Sequence, residues 1–196
     1  TELNIGGIVQ DESLNSNING EFNADGRSFD YKSMNTKLVY SLRNTSFYKH
    51  DIKSSAGIVE INSGDIKLNL DVDATAVNAR VEGNVNIRNL DAITYNLKGV
   101  SKRLNISSFT GDASTGSNLN FNFELKGTGI DPEKIAGNFK FNFQPSTFAN
   151  LQIPSIALAA DISNNGNQKS IELVSDVLDL KAKGRFNYLS LSNIIT

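Results

Sequence analysis

The sequence predicts an all-β protein: one long, curled, largely antiparallel sheet with an apolar concave face, built from two tandem repeats. Three observations carry this expectation. Apolar and polar residues alternate with a period of two over most of the chain. Turns rich in Gly and Asn punctuate the alternating runs. And residues 102–196, moved back by 101 positions, fall on residues 1–95 without a gap. Leu3-Asn4-Ile5 meets Leu104-Asn105-Ile106, Ser16-Asn17 meets Ser117-Asn118, and Phe22, Gly26 and Asp30 meet Phe123, Gly127 and Asp131. Phe47, Ile52, Ile61, Gly83 and Asn86 meet Phe148, Ile153, Ile162, Gly184 and Asn187, while Leu38, Tyr40 and Leu42 face Phe139, Phe141 and Phe143. We therefore divide the chain into a first repeat, 1–101, and a second, 102–196, continuous as one elongated unit and read as a piece of a longer protein.

The strands follow from the alternation. Ile66, Leu68, Leu70 and Val72 alternate with Lys67, Asn69 and Asp71. Val77, Ala79, Val81, Gly83, Val85 and Ile87 form the next set, and Ile93, Tyr95 and Leu97 continue it. Leu119, Phe121, Phe123 and Leu125 alternate with Asn120, Asn122 and Glu124, and Phe139, Phe141 and Phe143 with Lys140 and Asn142. Ile156, Leu158, Ala160 and Ile162, then Ile171 with Leu173, then Leu178, Leu180 and Ala182, and Phe186 with Tyr188 complete the pattern. In a strand each set points to one face and its polar partners to the other.

The turns are equally specific. Asn62-Ser63-Gly64-Asp65 and Asn164-Asn165-Gly166-Asn167 read as equivalent hairpin turns. Asp131-Pro132-Glu133-Lys134-Ile135-Ala136-Gly137 reads as a capped helical turn, with Asp131 as N-cap, Pro132 first and Gly137 as stop. Its counterpart from Asp30 to Thr36 lacks the Pro and the Gly, so a looser linker is expected there.

A one-sided apolar sheet must bury that side. It can close as a sandwich, wind into a β-helix, or curl into a half-pipe whose inner surface stays open to an apolar ligand. Hairpin-like strand pairing speaks against the β-helix, and a gapless repeat favours a continuing half-pipe over a pair of sandwiches.

Composition narrows the function. Hydrophobic content is 39% and formal charge is −2, with no basic stripe; Lys98, Lys102 and Arg103 are the densest cationic group. That balance argues against nucleic acid. Cysteine is absent, which removes disulfides and thiolate metal sites. The longest apolar run, Ile156 to Ala160, is far short of the roughly 20 residues of a membrane span. His50, the single histidine, stands beside Asp51, but its repeat counterpart is Leu151, so a solvated turn is expected rather than a catalytic pair. Asp71 and Asp73 have a spacing that could serve Ca²⁺, yet no Gly-centred loop or bidentate Glu follows, and a solvated outer face is expected. Gly127-Thr128-Gly129 lacks the Lys-Ser or Lys-Thr of a phosphate loop. The sequence thus predicts no enzyme, no catalytic set, no metal and no cofactor.

The stretch from Leu125 to Phe141 (LKGTGIDPEKIAGNFKF) resembles the "L-x-G-x-G-x-D-P-x-x-L-x-G-x-φ-x-φ" pattern of the AsmA-like superfamily, especially its TamB (translocation and assembly module) branch. Pro145-Ser146-Thr147-Phe148, Ile153-Pro154-Ser155-Ile156-Ala157-Leu158 and Leu178 to Phe186 resemble the pieces that follow. The likeness covers 96–196 directly and 1–95 through the repeat; Asp25-Gly26-Arg27-Ser28, and Tyr31 in place of Pro132, depart from it. It implies a β-taco or repeating groove, part of an inner-membrane-anchored periplasmic protein of a diderm bacterium. It also implies that the groove conducts phospholipid between inner and outer membranes and supports outer-membrane assembly. The partners implied are a phospholipid or other acyl-chain ligand and, through other parts of the full-length protein, an Omp85-class outer-membrane barrel. The alternative reading is a structural or adhesive β-repeat of a surface or envelope protein with a closed core.

On this reading the first-repeat groove is lined by Leu38, Tyr40, Leu42, Leu68, Leu70, Val72, Val81 and Val85. The second is lined by Phe121, Phe123, Phe139, Phe141, Phe143, Leu158, Leu173, Leu180 and Phe186. Self-association through exposed edge strands is a further expectation.

Overall fold

A computed structural model describes residues 4, 10, 16–28, 30–47, 50–131, 133–165 and 168–186. The chain is all-β and forms one open antiparallel sheet of 14 strands. The strands are β1 (Ser16–Asn17), β2 (Gly20–Arg27), β3 (Asn35–Phe47), β4 (His50–Asn62), β5 (Asp65–Ala74), β6 (Asn78–Asn86) and β7 (Thr94–Leu104). After them come β8 (Ser117–Thr128), β9 (Ala136–Phe143), β10 (Ser146–Phe148), β11 (Leu151–Ile153), β12 (Ile156–Asn165), β13 (Gln168–Ser175) and β14 (Asp179–Gly184). The path is a meander, β1-β3-β4-β5-β6-β7-β8-β9-β12-β13-β14, with β2 paired beside β1 along β3 and the short β10–β11 hairpin attached to β8.

The connections obey the turn chemistry. Asn62 pairs with Asp65 around Ser63 and Gly64, both at positive φ, as a two-residue hairpin of the I′ kind demands. Ala149 and Asn150, both at positive φ, do the same between β10 and β11. The second hairpin expected from the sequence, Asn164 to Asn167, joins β12 and β13 but closes one residue further on, with Asn165 paired to Gln168. The β12–β13 ladder runs on through Ser163–Ser170 and Asn164–Lys169 to Asn165–Gln168, and that pairing decides the position. Gly166 and Asn167 themselves lie outside the described residues.

At Asp131 the backbone N–H groups of Lys134 and Ile135 donate to the Asp131 carbonyl, and the Glu133 N–H to its carboxylate at 2.9 Å, which is a capped turn. Pro132 lies outside the described residues. The segment from Asp30 is not looser, as the missing Pro and Gly suggested. Ser33 and Met34 N–H donate to the Asp30 carbonyl and Lys32 N–H to its carboxylate at 3.1 Å. The Asp cap alone suffices to close the turn.

Along one rim the connecting turns are joined in series. Ser63 N–H donates to Met34 O, Ile87 N–H to Gly64 O, and Gly129 N–H to Ile93 O. Further on, Asn164 Nδ2 donates to Glu133 O at 2.7 Å, and Lys169 pairs with the Glu133 carboxylate. The opposite rim carries a one-turn helix α1 (Ser107–Thr110) and is joined by Thr75 N–H to Asp51 O and Asn105 N–H to Ala76 O.

No large side chain is fully buried among the described residues, and the buried apolar set is small: Ala74, Ala76, Leu119, Phe139 and Ala160. The surface is 12907 Å², against about 9,100 Å² expected of a compact protein of this mass. A single layer of sheet explains the excess, because among the described residues no second layer packs across it.

Candidate functional site

The register sorts side chains onto two faces, since directly opposed residues in a ladder point the same way. One row runs Phe22, Tyr40, Gly57, Leu70, Val81, Gly99, Phe123, Phe141 and Leu158 across nine strands. The next runs Leu38, Val59, Leu68, Gly83, Leu97, Leu125, Phe139, Ala160, Leu173 and Leu180. A third holds Ile61, Ile66, Val85, Tyr95, Gly127, Gly137, Ile162 and Ile171. The fourth holds Leu42, Ser55, Val72, Ala79, Ser101, Phe121, Phe143 and Ile156.

The expected lining residues from Leu38 to Leu180 all stand in these four rows. Phe186 follows β14 and has no place in a ladder. Leu178, expected in the last strand, sits in the turn before β14, where its carbonyl accepts from Ser175 Oγ at 2.9 Å.

Four phenylalanines form the densest part of this face. Phe121 lies 5.3 Å from Phe143, 5.9 Å from Phe141 and 6.1 Å from Phe123, centroid to centroid. Phe141 and Phe143 stack at 6.2 Å. Direct and diagonal cross-strand neighbours bring these rings together.

Glycines interrupt the rows, and the lining expected from sequence omitted them. A Cβ on Gly99 would lie 2.6 Å from Phe123 Cζ, and one on Gly127 2.9 Å from the Tyr95 hydroxyl. Rings thus lie over bare backbone, which a side chain at either glycine would forbid. Gly127 and Gly137 face each other in the third row, and with Val85, Tyr95 and Ile162 they help line a depression of ≈ 760 Å³. Burial pushes the Tyr95 phenol above its ordinary range.

Two serines interrupt the fourth row. Tyr40 hydroxyl and Ser55 Oγ lie 3.2 Å apart, and Ser55 Oγ donates to Asp71 O at 2.9 Å. Ser101 Oγ is buried beside Phe121 with no hydrogen-bond partner among the described residues.

The opposite face is a ladder of charges. Lys37 pairs with Glu60 at 3.1 Å, Arg80 with Asp71 at 2.7 Å, Lys98 with Glu82 at 2.9 Å and Lys181 with Glu172 at 2.8 Å. The carboxylate partners hold Arg80, Lys98 and Lys181 above their ordinary pKa values. Asp73 takes Arg103 at 2.8 Å, so the two aspartates weighed as Ca²⁺ ligands are engaged with arginines. His50 is not in a solvated turn. It opens β4, half-buried, with its ring 4.9 Å from Phe109. Among the described residues no group of three His, Cys, Asp or Glu is placed to hold a metal, and no helix is long and apolar enough to cross a membrane.

Searches among known protein families, characterised proteins and solved structures returned no match to this chain.

Proposed function

We propose that this chain is a segment of a bridge-like lipid transport protein of the periplasm, and that its apolar face shields phospholipid acyl chains between inner and outer membranes. The observation that carries the reading is the register: sixteen residues chosen from sequence alternation share one face of an open, single-layer sheet. The resemblance of 125–141 to the AsmA-like pattern supplies the biological setting, including a diderm envelope and an Omp85-class barrel reached through other parts of a longer protein. On this reading the apolar face is the concave, inner one, and the sheet is two copies of a repeating unit, 1–101 and 102–196.

Pairings and bonds 101 residues apart support the repeat. Phe22 opposes Tyr40 as Phe123 opposes Phe141, and Tyr40 opposes Gly57 as Phe141 opposes Leu158. Asp73 opposes Asn78 as Val174 opposes Asp179.

Shielding a methylene is worth about 0.8 kcal/mol, so ten shielded methylenes offset several kcal/mol of the cost of leaving a bilayer. Similar rows repeated along the sheet keep that energy nearly level, which favours movement. A structural or adhesive fibre would close its core, and the open sheet does not favour it.

The test is crosslinking of lipid to the purified protein. Phe141→Glu or Leu70→Glu is expected to abolish it, whereas Asn142→Glu or Asn69→Glu, on the opposite face, leaves it intact. Equal effects on both faces would refute the assignment.

A further inference from the structure

A depression of ≈ 520 Å³ lies on the polar face, across β3 to β7. Its walls are two polar ladder rows. One runs Arg43, Ser54, Asp73, Asn78 and Lys102; the other runs Ser41, Ala56, Asp71, Arg80 and Val100. The fourth apolar row passes between them, and since its side chains point to the other face it supplies backbone to the floor.

Both acids in these walls are already engaged. Arg80 donates to the Asp71 carboxylate through two nitrogens, at 2.7 and 3.1 Å. Asp73 takes Arg103 at 2.8 Å and Lys53 at 4.0 Å. Each of these two bases stands at a bulge: the β4–β5 register shifts between Ile52 and Ser54, and the β7–β8 register between Ser101 and Leu104. An extra residue in a strand re-aims the side chains around it. Arg43 and Lys102 are left with no ion-pair partner among the described residues. Glu21, opposite Ser41 on β2, and Asp51, two residues before Lys53, stand outside the lining. With them the charges are close to balance, so what sets the depression apart is its unused donors.

Those donors converge. Ser54 lies directly opposite Arg43, and Ser41 lies two residues from it on the same side of β3. Asn78 lies directly opposite Lys102. A guanidinium fork, an ammonium, two hydroxyls and an amide thus face one space, and all can donate. A tetrahedral oxyanion has acceptor oxygens enough to use donors from both walls, and charge-assisted bonds to Arg and Lys are the strong kind.

We propose that this depression binds a phosphate group, carried either by free phosphate or by a phospholipid headgroup. The site lies on the face opposite the apolar rows, so it goes beyond lipid shielding and does not rest on it.

Two probes read the two sources: calorimetric titration with inorganic phosphate, and flotation of the purified chain with phosphatidylglycerol vesicles. Saturable binding of inorganic phosphate is expected if the source is free phosphate, and flotation without it if the source is a headgroup. For whichever probe binds, Arg43→Gln or Lys102→Gln should weaken binding about tenfold, as loss of a hydrogen bond to a charged group does. Ser54→Ala should weaken it severalfold. Arg43→Lys, which keeps the charge and loses the fork, should also weaken it. Lys140→Gln makes the same charge change on the same face at β9 and should leave binding as it was. All four positions are exposed, and a urea melt matching the parent's shows that each variant is folded. No binding of either probe, equal loss in Lys140→Gln, or binding indifferent to Ser54→Ala and Arg43→Lys and so due to charge alone would overturn the proposal.

Discussion

The Thr45 hydroxyl clips Asn19: it accepts the Asn19 backbone N–H at 3.1 Å and donates back to the Asn19 carbonyl at 3.2 Å. Ser146 makes the same contact with Asn120, at 2.9 Å and 3.4 Å, and each hydroxyl also reaches a carbonyl two residues back, Arg43 or Gln144. Both hydroxyl residues are buried, at 3% and 4% exposure. They hold the sheet where the edge of β3 passes from β2 to β1 and where β9 gives way to β10. Thr45→Val and Ser146→Ala should each cost about 1–2 kcal/mol, because each leaves a half-buried amide without its acceptor. Urea melts of the two variants give the values, and a change below the error of the melt would show the clip to be idle.

Gly99 and Phe123 stand directly opposite on β7 and β8. A methyl on Gly99 would lie 2.2 Å from Arg80 O as well as 2.6 Å from the Phe123 ring. Gly99→Ala should therefore lower stability by about 1–3 kcal/mol, through displaced backbone and a ring pushed off its seat. Denaturant melts measure the loss, and a variant as stable as the parent would mean the ring has another place to lie.

Glu133 ties the turn after β8 to the β12–β13 hairpin through Lys169 and Asn164. The ion-pair side chains are only 28% and 13% exposed, so solvent screens them weakly. Lys169→Met should cost about 1.5–3 kcal/mol and Asn164→Ala about 1 kcal/mol. Hydrogen exchange at residues 129–135 should quicken in both, and unchanged exchange would show that the turn stands without the tie.

Burial raises the Tyr95 pKa, so the folded state resists forming the phenolate. The folded protein then binds the proton more tightly than the unfolded chain does, and stability falls as pH rises above about 10. Tyr95→Phe should remove that part of the alkaline loss. Ultraviolet titration of parent and variant isolates the tyrosine, and a difference curve centred at or below the ordinary value would contradict the assignment.

Much of this was legible in the chain. Alternation placed Leu70, Val81, Phe123 and Phe141 on one side because a strand's period of two is fixed by backbone geometry. The Asp131 turn was legible because a carboxylate cap acts over three residues. The Asp30 turn was misjudged because Pro and Gly, which strengthen such a turn, were taken as necessary to it. The second hairpin turn was placed one residue early because a turn position depends on how far both arms keep pairing, a sum over many residues rather than a local signal.

By itself the sequence determined the strand class, the faces and most turns, since each depends on residues close together along the chain. Only the tertiary structure decided that the sheet stays open, which rings rest over which glycines, and that Thr45 reaches Asn19 across 26 positions. Those outcomes depend on register and on what stacks beside what. Such long-range contacts compete against chain entropy, and the competition is resolved only when the whole sheet forms.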